Sequence, residues 1–290
     1  MRSSVLSRIG AWIIATALLL LSGCSALRFT YNQGPVLAYW WLDGYMDFTD
    51  EQSPQVKQAL ADWFAWHRQT QLPDYATWLA SVRALAFEKV SAAQMCAVSD
   101  GAQRRLDAAY AQAVPAMAVI TRTITPAQID HLEKRYARKN QEVARDFLQP
   151  DLAERAEASL KRTVDRAEMI YGTLDDSQRK LLADGLAVSP FDAQRWMVER
   201  RARQQEIVRT LRRLIAEKAD VPTVEAAVRR FEADAMSSPR PEYRAYVQRL
   251  VAANCELAAQ LHNSMKPAQR QHAADKLRSW EEDFRALAAD

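Results

Sequence analysis

Glycine is scarce in this chain, with seven in 290 residues, and no two stand close enough to make a GxG turn. That excludes phosphate-cradling loops of the Rossmann and P-loop kinds. Alternating β-branched runs are missing, and the G-x-S-x-G turn that carries a hydrolase serine is absent. The four histidines, His67, His131, His262 and His272, have no partner at the HxH or HExxH spacing of metal ligands, so no metal site and no catalytic residue are assigned. His131 and Glu133 stand two apart and point to different helix faces. A strong excess of either charge is also lacking. The formal charge is +3, and removing Arg2 and Arg8 with a leader brings it to about +1. Nucleic-acid binding needs a basic excess that this chain does not have. The longest apolar run, Ile9 to Leu21, is too short to span a bilayer core of about 30 Å as a stable helix.

What is present at that end has the three parts of a secretory signal: Arg2 and Arg8, the apolar run, then small residues leading into a cysteine. Leu21-Ser22-Gly23-Cys24 resembles the lipobox of bacterial lipoproteins. The resemblance implies cleavage before Cys24, a thioether-linked diacylglycerol on its sulfur and acylation of the new amine. Three acyl chains, each contributing about 0.8 kcal/mol per buried methylene, would hold the protein on a membrane almost permanently. Ser25 follows where an Asp would favour inner-membrane retention in enteric bacteria, so the implied site is the periplasmic leaflet of the outer membrane. No cofactor is expected beyond this covalent lipid.

The remainder is rich in the strong helix formers Ala, Leu, Arg, Gln and Glu. An all-α fold follows, a multi-helix array or bundle of roughly nine to eleven mostly antiparallel helices. Residues 1–23 form the signal peptide, 24–34 a lipidated, polar link to the membrane, and 35–290 the helical domain. Helix starts are marked repeatedly by a capping box, in which a cap side chain accepts from the third residue and a Gln reaches back. The boxes are Thr49…Gln52, Ser91…Gln94, Thr125…Gln128 and Asp175…Gln178, and Lys266…Gln269 keeps the pattern with a lysine where the cap should be. Pro73, Pro190, Pro222 and Pro241 mark further starts, whereas Pro115 is expected to kink or split the Gln94–Arg122 segment.

Five of the eight tryptophans fall between Trp40 and Trp78. Trp63 and Trp78 are read as core rings, and His67 as a core or rim histidine. For Trp40 and Trp41 two readings stay open: packing in the core, or contact at the headgroup level beside the anchor. This aromatic run begins about fifteen residues beyond Cys24, a tether of at most about 50 Å. Cys96 and Cys255 form an even pair once Cys24 is lipidated, a candidate disulfide whose alternative is two buried thiols. Seven arginines against two glutamates lie between Arg195 and Arg213. Arg200, Arg201 and Arg203 are candidates for contact with lipid phosphate or an acidic partner, the plainer reading being a solvated helix face paired with neighbouring acids.

The repeated apolar-Thr-x-x-Gln box is similar to the LTxxQ motif of the Spy/CpxP periplasmic proteins, which are small helical chaperones or stress-signalling modulators working as cradle-shaped dimers. A second resemblance covers nearly the whole chain. The lipobox, Tyr31-Asn32, Tyr39-Trp40-Trp41-Leu42-Asp43, Trp66-His67-Arg68, Leu72-Pro73, Gln128-Ile129-Asp130-His131-Leu132-Glu133, Leu261-His262-Asn263-Ser264 and Gln269-Arg270 resemble an uncharacterised family of proteobacterial lipoproteins. That family is catalogued as a domain of unknown function and implies fold and location without a reaction.

The expectation is therefore a non-enzymatic binding, scaffolding or chaperone-like envelope protein. It would be partnered by the membrane through its lipid and by envelope proteins as clients, with no small-molecule substrate identified. The alternative is an envelope hydrolase acting on peptidoglycan or lipid through carboxylates assembled by the fold. A deep cleft with two converging carboxylates would mark the enzyme, and an open groove with exposed apolar residues the binder.

Overall fold

Helix-forming composition and repeated caps lead to a fold in which every regular element among the described residues is helical. The computed structural model describes residues 26–290, so the signal segment and Cys24 lie outside the described residues. Helices α1 (Ala26–Asn32), α2 (Gly34–Met46) and α3 (Gln52–Trp66) come first. A π-helical segment, His67–Gln71, leads on into α4 (Leu72–Ala84). Then follow α5 (Ala92–Thr121), α6 (Pro126–Phe147), α7 (Leu152–Tyr171) and α8 (Asp176–Ala187). The last four are α9 (Ala193–Ala216), α10 (Val221–Met236), α11 (Pro241–Asn263) and α12 (Pro267–Ala289). Among the described residues there is no strand, and no helix is long and apolar enough to cross a membrane.

The helix starts follow the caps. Ser91, Thr125 and Asp175 each accept from the backbone N–H three residues on, and the Gln at that place accepts from the cap's own N–H. Thr49 and Gln52 close the same box at 3.0 and 3.3 Å. Lys266 supplies only its backbone N–H, to Gln269 Oε1 at 3.0 Å. Its ammonium reaches across to Asp175 at 2.7 Å, so the caps of α8 and α12 are ion-paired.

Two local features go beyond what the sequence shows. Pro115 does not split its helix: α5 runs unbroken for 30 residues. An interior proline costs about 3 kcal/mol, but Val114 and Ala118 beside it are fully buried against Leu214, Val224 and Val228. Burying such side chains returns about 1.5–3 kcal/mol for a valine, and the Ala111 carbonyl that loses its donor is on the exposed face. Residues 25–34, read as a polar link, are mostly helical from Ala26 onward. The segment is held to the body, because Arg28 bonds to Asp283 at 2.7 Å and the Tyr31 hydroxyl to His67 at 2.9 Å.

Among the described residues three apolar clusters carry the packing. One joins α5, α9 and α10. A second joins α6 and α9 around Ile129, Leu132 and Leu211, and the third joins α7, α8 and α11 around Val164, Leu182 and Leu261. The most extensive pairing lies between α4 and α12, bringing the last helix back against the first part of the chain. Glycine is spent where helices touch: a Cβ on Gly34 would lie 2.3 Å from the Phe64 ring, and one on Gly101 would lie 2.6 Å from the Trp78 indole nitrogen. A disulfide, Cys96–Cys255, ties α5 to α11 with its Cα atoms 5.4 Å apart. Closing a loop of 159 residues restricts the unfolded chain by an amount worth about 5 kcal/mol in the entropy model.

Candidate functional site

The boxes do more than start helices. Gln52 and Gln128 are buried and face each other, each amide nitrogen donating to the other's oxygen, at 3.2 and 2.7 Å. Each oxygen also accepts from its own cap N–H, and each nitrogen reaches the chain before the partner helix. Gln52 donates to the Thr123 carbonyl at 2.8 Å, and Gln128 to the Met46 and Asp47 carbonyls at 3.0 Å. The end of α2 is therefore capped by a residue of α6. Gln178 and Gln269 repeat the arrangement, exchanging two bonds of 2.8 Å and donating to Ser264 and Thr173 carbonyls. A buried primary amide left without partners costs about 1–3 kcal/mol, so these pairs work as staples between helix starts distant in sequence.

His67 opens the π segment, an i→i+5 turn of the kind found often at functional sites. Its buried ring stacks on Trp63 at 4.7 Å, with Nδ1 2.9 Å from the Tyr31 hydroxyl and Nε2 3.2 Å from that of Tyr75. A neutral imidazole donates from one nitrogen and accepts at the other, so one tyrosine donates to the ring and the other accepts from it. Burial lowers the His67 pKa to about 4 and pushes Tyr31 up to about 12 against the pull of Arg68. His262 is similar: Nε2 donates to the Glu88 carbonyl at 3.0 Å, Nδ1 accepts from Tyr171 at 2.9 Å, and burial lowers its pKa. Both rings are neutral and fully bonded, which makes them connectors of the body. His131 and His272 each meet a backbone carbonyl, of Gly44 and Ile170.

Helices α1 and α2 carry a different feature. Trp40 is 66% exposed, Trp41 63% and Phe29 69%, with Val36 and Leu37 beside them on the same side. Trp63 instead donates its indole N–H to the Ala109 carbonyl at 2.9 Å.

Four arginines of α9 bond to neighbouring helices. Arg195 donates to the Glu242 carbonyl, Arg200 to Asn140 Oδ1 at 2.8 Å and Arg203 to the Ala235 carbonyl at 3.2 Å; Arg212 bridges Asp130 and Glu133. Glu199, 3% exposed, holds Arg240 through bonds of 2.5 and 2.6 Å. Burial pushes its carboxyl up, and the Arg240 and Ser238 bonds outweigh that and hold it below the usual range. Arg201 is exposed and borders a groove of about 350 Å³ between α6 and α9, lined also by Tyr136, Asn140 and Gln204. A second groove, about 540 Å³, runs beside α8 with Leu181 and the exposed Val188 on its wall.

Each groove presents one carboxylate, Glu133 in the first and Asp184 in the second, and these are ion-paired to Arg212 and Lys180. The buried acids Glu199, Glu281 and Asp283 are all bonded to arginines. Among the described residues no three His, Cys, Asp or Glu side chains gather closely enough to hold a metal ion.

The model of a family of unknown function, DUF6279, matches residues 44–221. The chain belongs to that family. Neither a curated protein nor a solved structure matches it. The DUF6279 stretch takes in the first glutamine pair, His67 and the arginines of α9. It holds only one member of the second pair, Gln178, and one of the disulfide, Cys96; their partners Gln269 and Cys255 belong to α12 and α11. Trp40 and Trp41 precede it.

Sequence reasoning found the boxes and missed that they pair. A signal was there: a capping box accepts Glu as readily as Gln, yet all five places carry glutamine. Of the two, only glutamine can both donate to and accept from a facing amide, and four of the five do so.

Proposed function

We propose that this DUF6279 protein is a lipid-anchored lipoprotein of the bacterial envelope, held on the periplasmic leaflet of the outer membrane. Its helical body serves as a non-enzymatic binding or scaffolding platform for envelope clients. The observation that supports the reading is how little chain separates Cys24 from the folded body. Only Ser25 stands between Cys24 and α1, and Arg28 is already bonded to Asp283 of the last helix. A lipid on Cys24 would therefore orient the body, not merely tether it. The open grooves with single, paired carboxylates favour binding over hydrolysis.

The test is metabolic labelling with palmitate, followed by membrane fractionation. The wild-type chain should carry label and co-fractionate with outer membrane, and Cys24→Ser should lose both the label and signal-peptide cleavage. A wild-type chain that takes up no label overturns the reading.

A further inference from the structure

The first two helices present a face that the packing of the body does not explain. Between Phe29 and Gly44 nine positions are exposed: Phe29, Thr30, Asn32, Gln33, Val36, Leu37, Trp40, Trp41 and Gly44. None is charged, in a protein where 26% of residues are charged. The two charged residues of α1 and α2 are turned to internal bonds. Arg28 meets Asp283, and Asp43 accepts from the Phe48 N–H at 2.9 Å. The apolar exposed residues recur at helical spacing, so they form one stripe from Phe29 to Trp41. Twelve positions at 1.5 Å rise give it a length of about 18 Å.

The opposite side of α2 is occupied. Tyr45 and Met46 pack on the α6–α9 cluster, and Tyr39 donates to Ser53 Oγ at 2.8 Å. Three cations each lie over a tyrosine of these two helices, and Arg135 also comes within 3.9 Å of where a Cβ on the exposed Gly44 would stand. Arg68 is over Tyr31 at 5.2 Å, Lys57 over Tyr39 at 4.5 Å and Arg135 over Tyr45 at 5.3 Å. An uncharged stripe with tryptophans matches the chemistry of a phospholipid interface, where indole rings settle at headgroup depth.

We propose that this stripe lies in the headgroup layer of the membrane that holds the Cys24 lipid, with α1 and α2 running along the bilayer plane. The proposal rests on the lipid-anchor reading, which fixes the occupant: the chain outside the described residues ends in Cys24 and Ser25, and one extended residue spans at most about 3.6 Å. The stripe thus begins where the acyl chains enter the bilayer. The membrane takes up one side of α2 and the body the other.

The full-length, lipidated protein, reconstituted in phosphatidylethanolamine–phosphatidylglycerol vesicles with brominated acyl chains, supplies the test. Bromine quenches only tryptophans at the membrane. Wild type should show a quenched component that is roughly halved or more in W40F/W41F, which keeps the apolar face while removing its two indoles. Leu37→Asp should lower it while leaving the circular dichroism of the body unchanged. A palmitate-labelled protein whose quenching is the same in wild type and W40F/W41F overturns the proposal and leaves the anchor standing. A chain without palmitate on Cys24 overturns both. Absent quenching, together with a dimer in detergent that W40F/W41F dissolves, assigns the stripe to a second copy and also overturns the proposal.

Discussion

Helices α2 and α9 look alike as candidates for contact: each concentrates one residue type suited to a membrane or a partner. Their surroundings differ. The α9 segment is rich in groups that must be satisfied when desolvated, and it is surrounded by satisfiers. Arg195, Arg200, Arg203 and Arg212 bond to α6, α10 and α11, and the buried Glu199 takes Arg240 in two bonds. The α2 tryptophans keep most of their apolar surface uncovered, at 66% and 63% exposed. A charge-dense segment can thus wire neighbouring helices together, and an uncharged one can be the outward face of the fold. Local composition does not separate the two; what faces each segment does.

The sharpest test of the α9 half is Arg240→Ala. It would leave Glu199 buried without its partner, and breaking a buried pair costs 3–5 kcal/mol. Arg240 is nearly half exposed, so the expected loss is about 2–3 kcal/mol, read as a lower urea midpoint. Glu199→Gln, which keeps the shape without the charge, should cost less. An Arg240→Ala variant as stable as wild type would mean that α9 is held by apolar packing alone, and the contrast with α2 would lose its basis.

Next in size is the histidine that anchors α1. His67 is neutral in the folded state because burial lowers its pKa to about 4 from an ordinary value near 6.5. Below 6.5 the unfolded chain binds a proton that the folded chain refuses, so stability falls as pH drops from 6.5 toward 4 and is fully present above 6.5. Between pH 7 and pH 4.5 the loss should be about 2–3 kcal/mol from this group. Carboxylates titrate in part of the same range, so the quantity to compare is the slope of melting free energy against pH in wild type and His67→Gln. The variant should be less stable at pH 7 and show a shallower slope. Equal slopes would mean that the Tyr31–His67–Tyr75 chain opens to water and does not hold α1.

The helical class, the cap positions and most helix starts were legible because they rest on local signals: side chains that bond within one turn, and prolines that are favoured in first turns. What was not legible depends on distant partners. Pro115 stays inside a helix because α9 and α10 bury Val114 and Ala118 beside it. Residues from Ala26 are helical because Asp283 and His67, far along the chain, hold Arg28 and Tyr31. The glutamines were visible as caps and invisible as pairs, since 76 and 91 residues separate the members. Trp40 and Trp41 could be placed either way from sequence, because an aromatic residue near a helix start reads the same whether it faces protein or not. The region of candidate function was thus readable as composition, while its orientation required the fold.

The smallest expected effect tests the other half of the comparison. Trp40→Ser and Trp41→Ser should each change the unfolding free energy in detergent solution by no more than about 0.5 kcal/mol, as exposed positions do. Burying a large apolar side chain contributes about 1.5–3 kcal/mol, but these rings stay 66% and 63% exposed and leave most of that contribution unrealised. Trp41 has the more to lose, since its ring lies 5.0 Å from Tyr45, which packs in turn on the α6–α9 cluster. A loss above about 1 kcal/mol at Trp40 would mean that the stripe packs within the body. Near-neutrality in detergent combined with weaker membrane association would separate what α2 does for the fold from what it does at the surface. For α9 the order should be reversed, with stability moving and association unchanged.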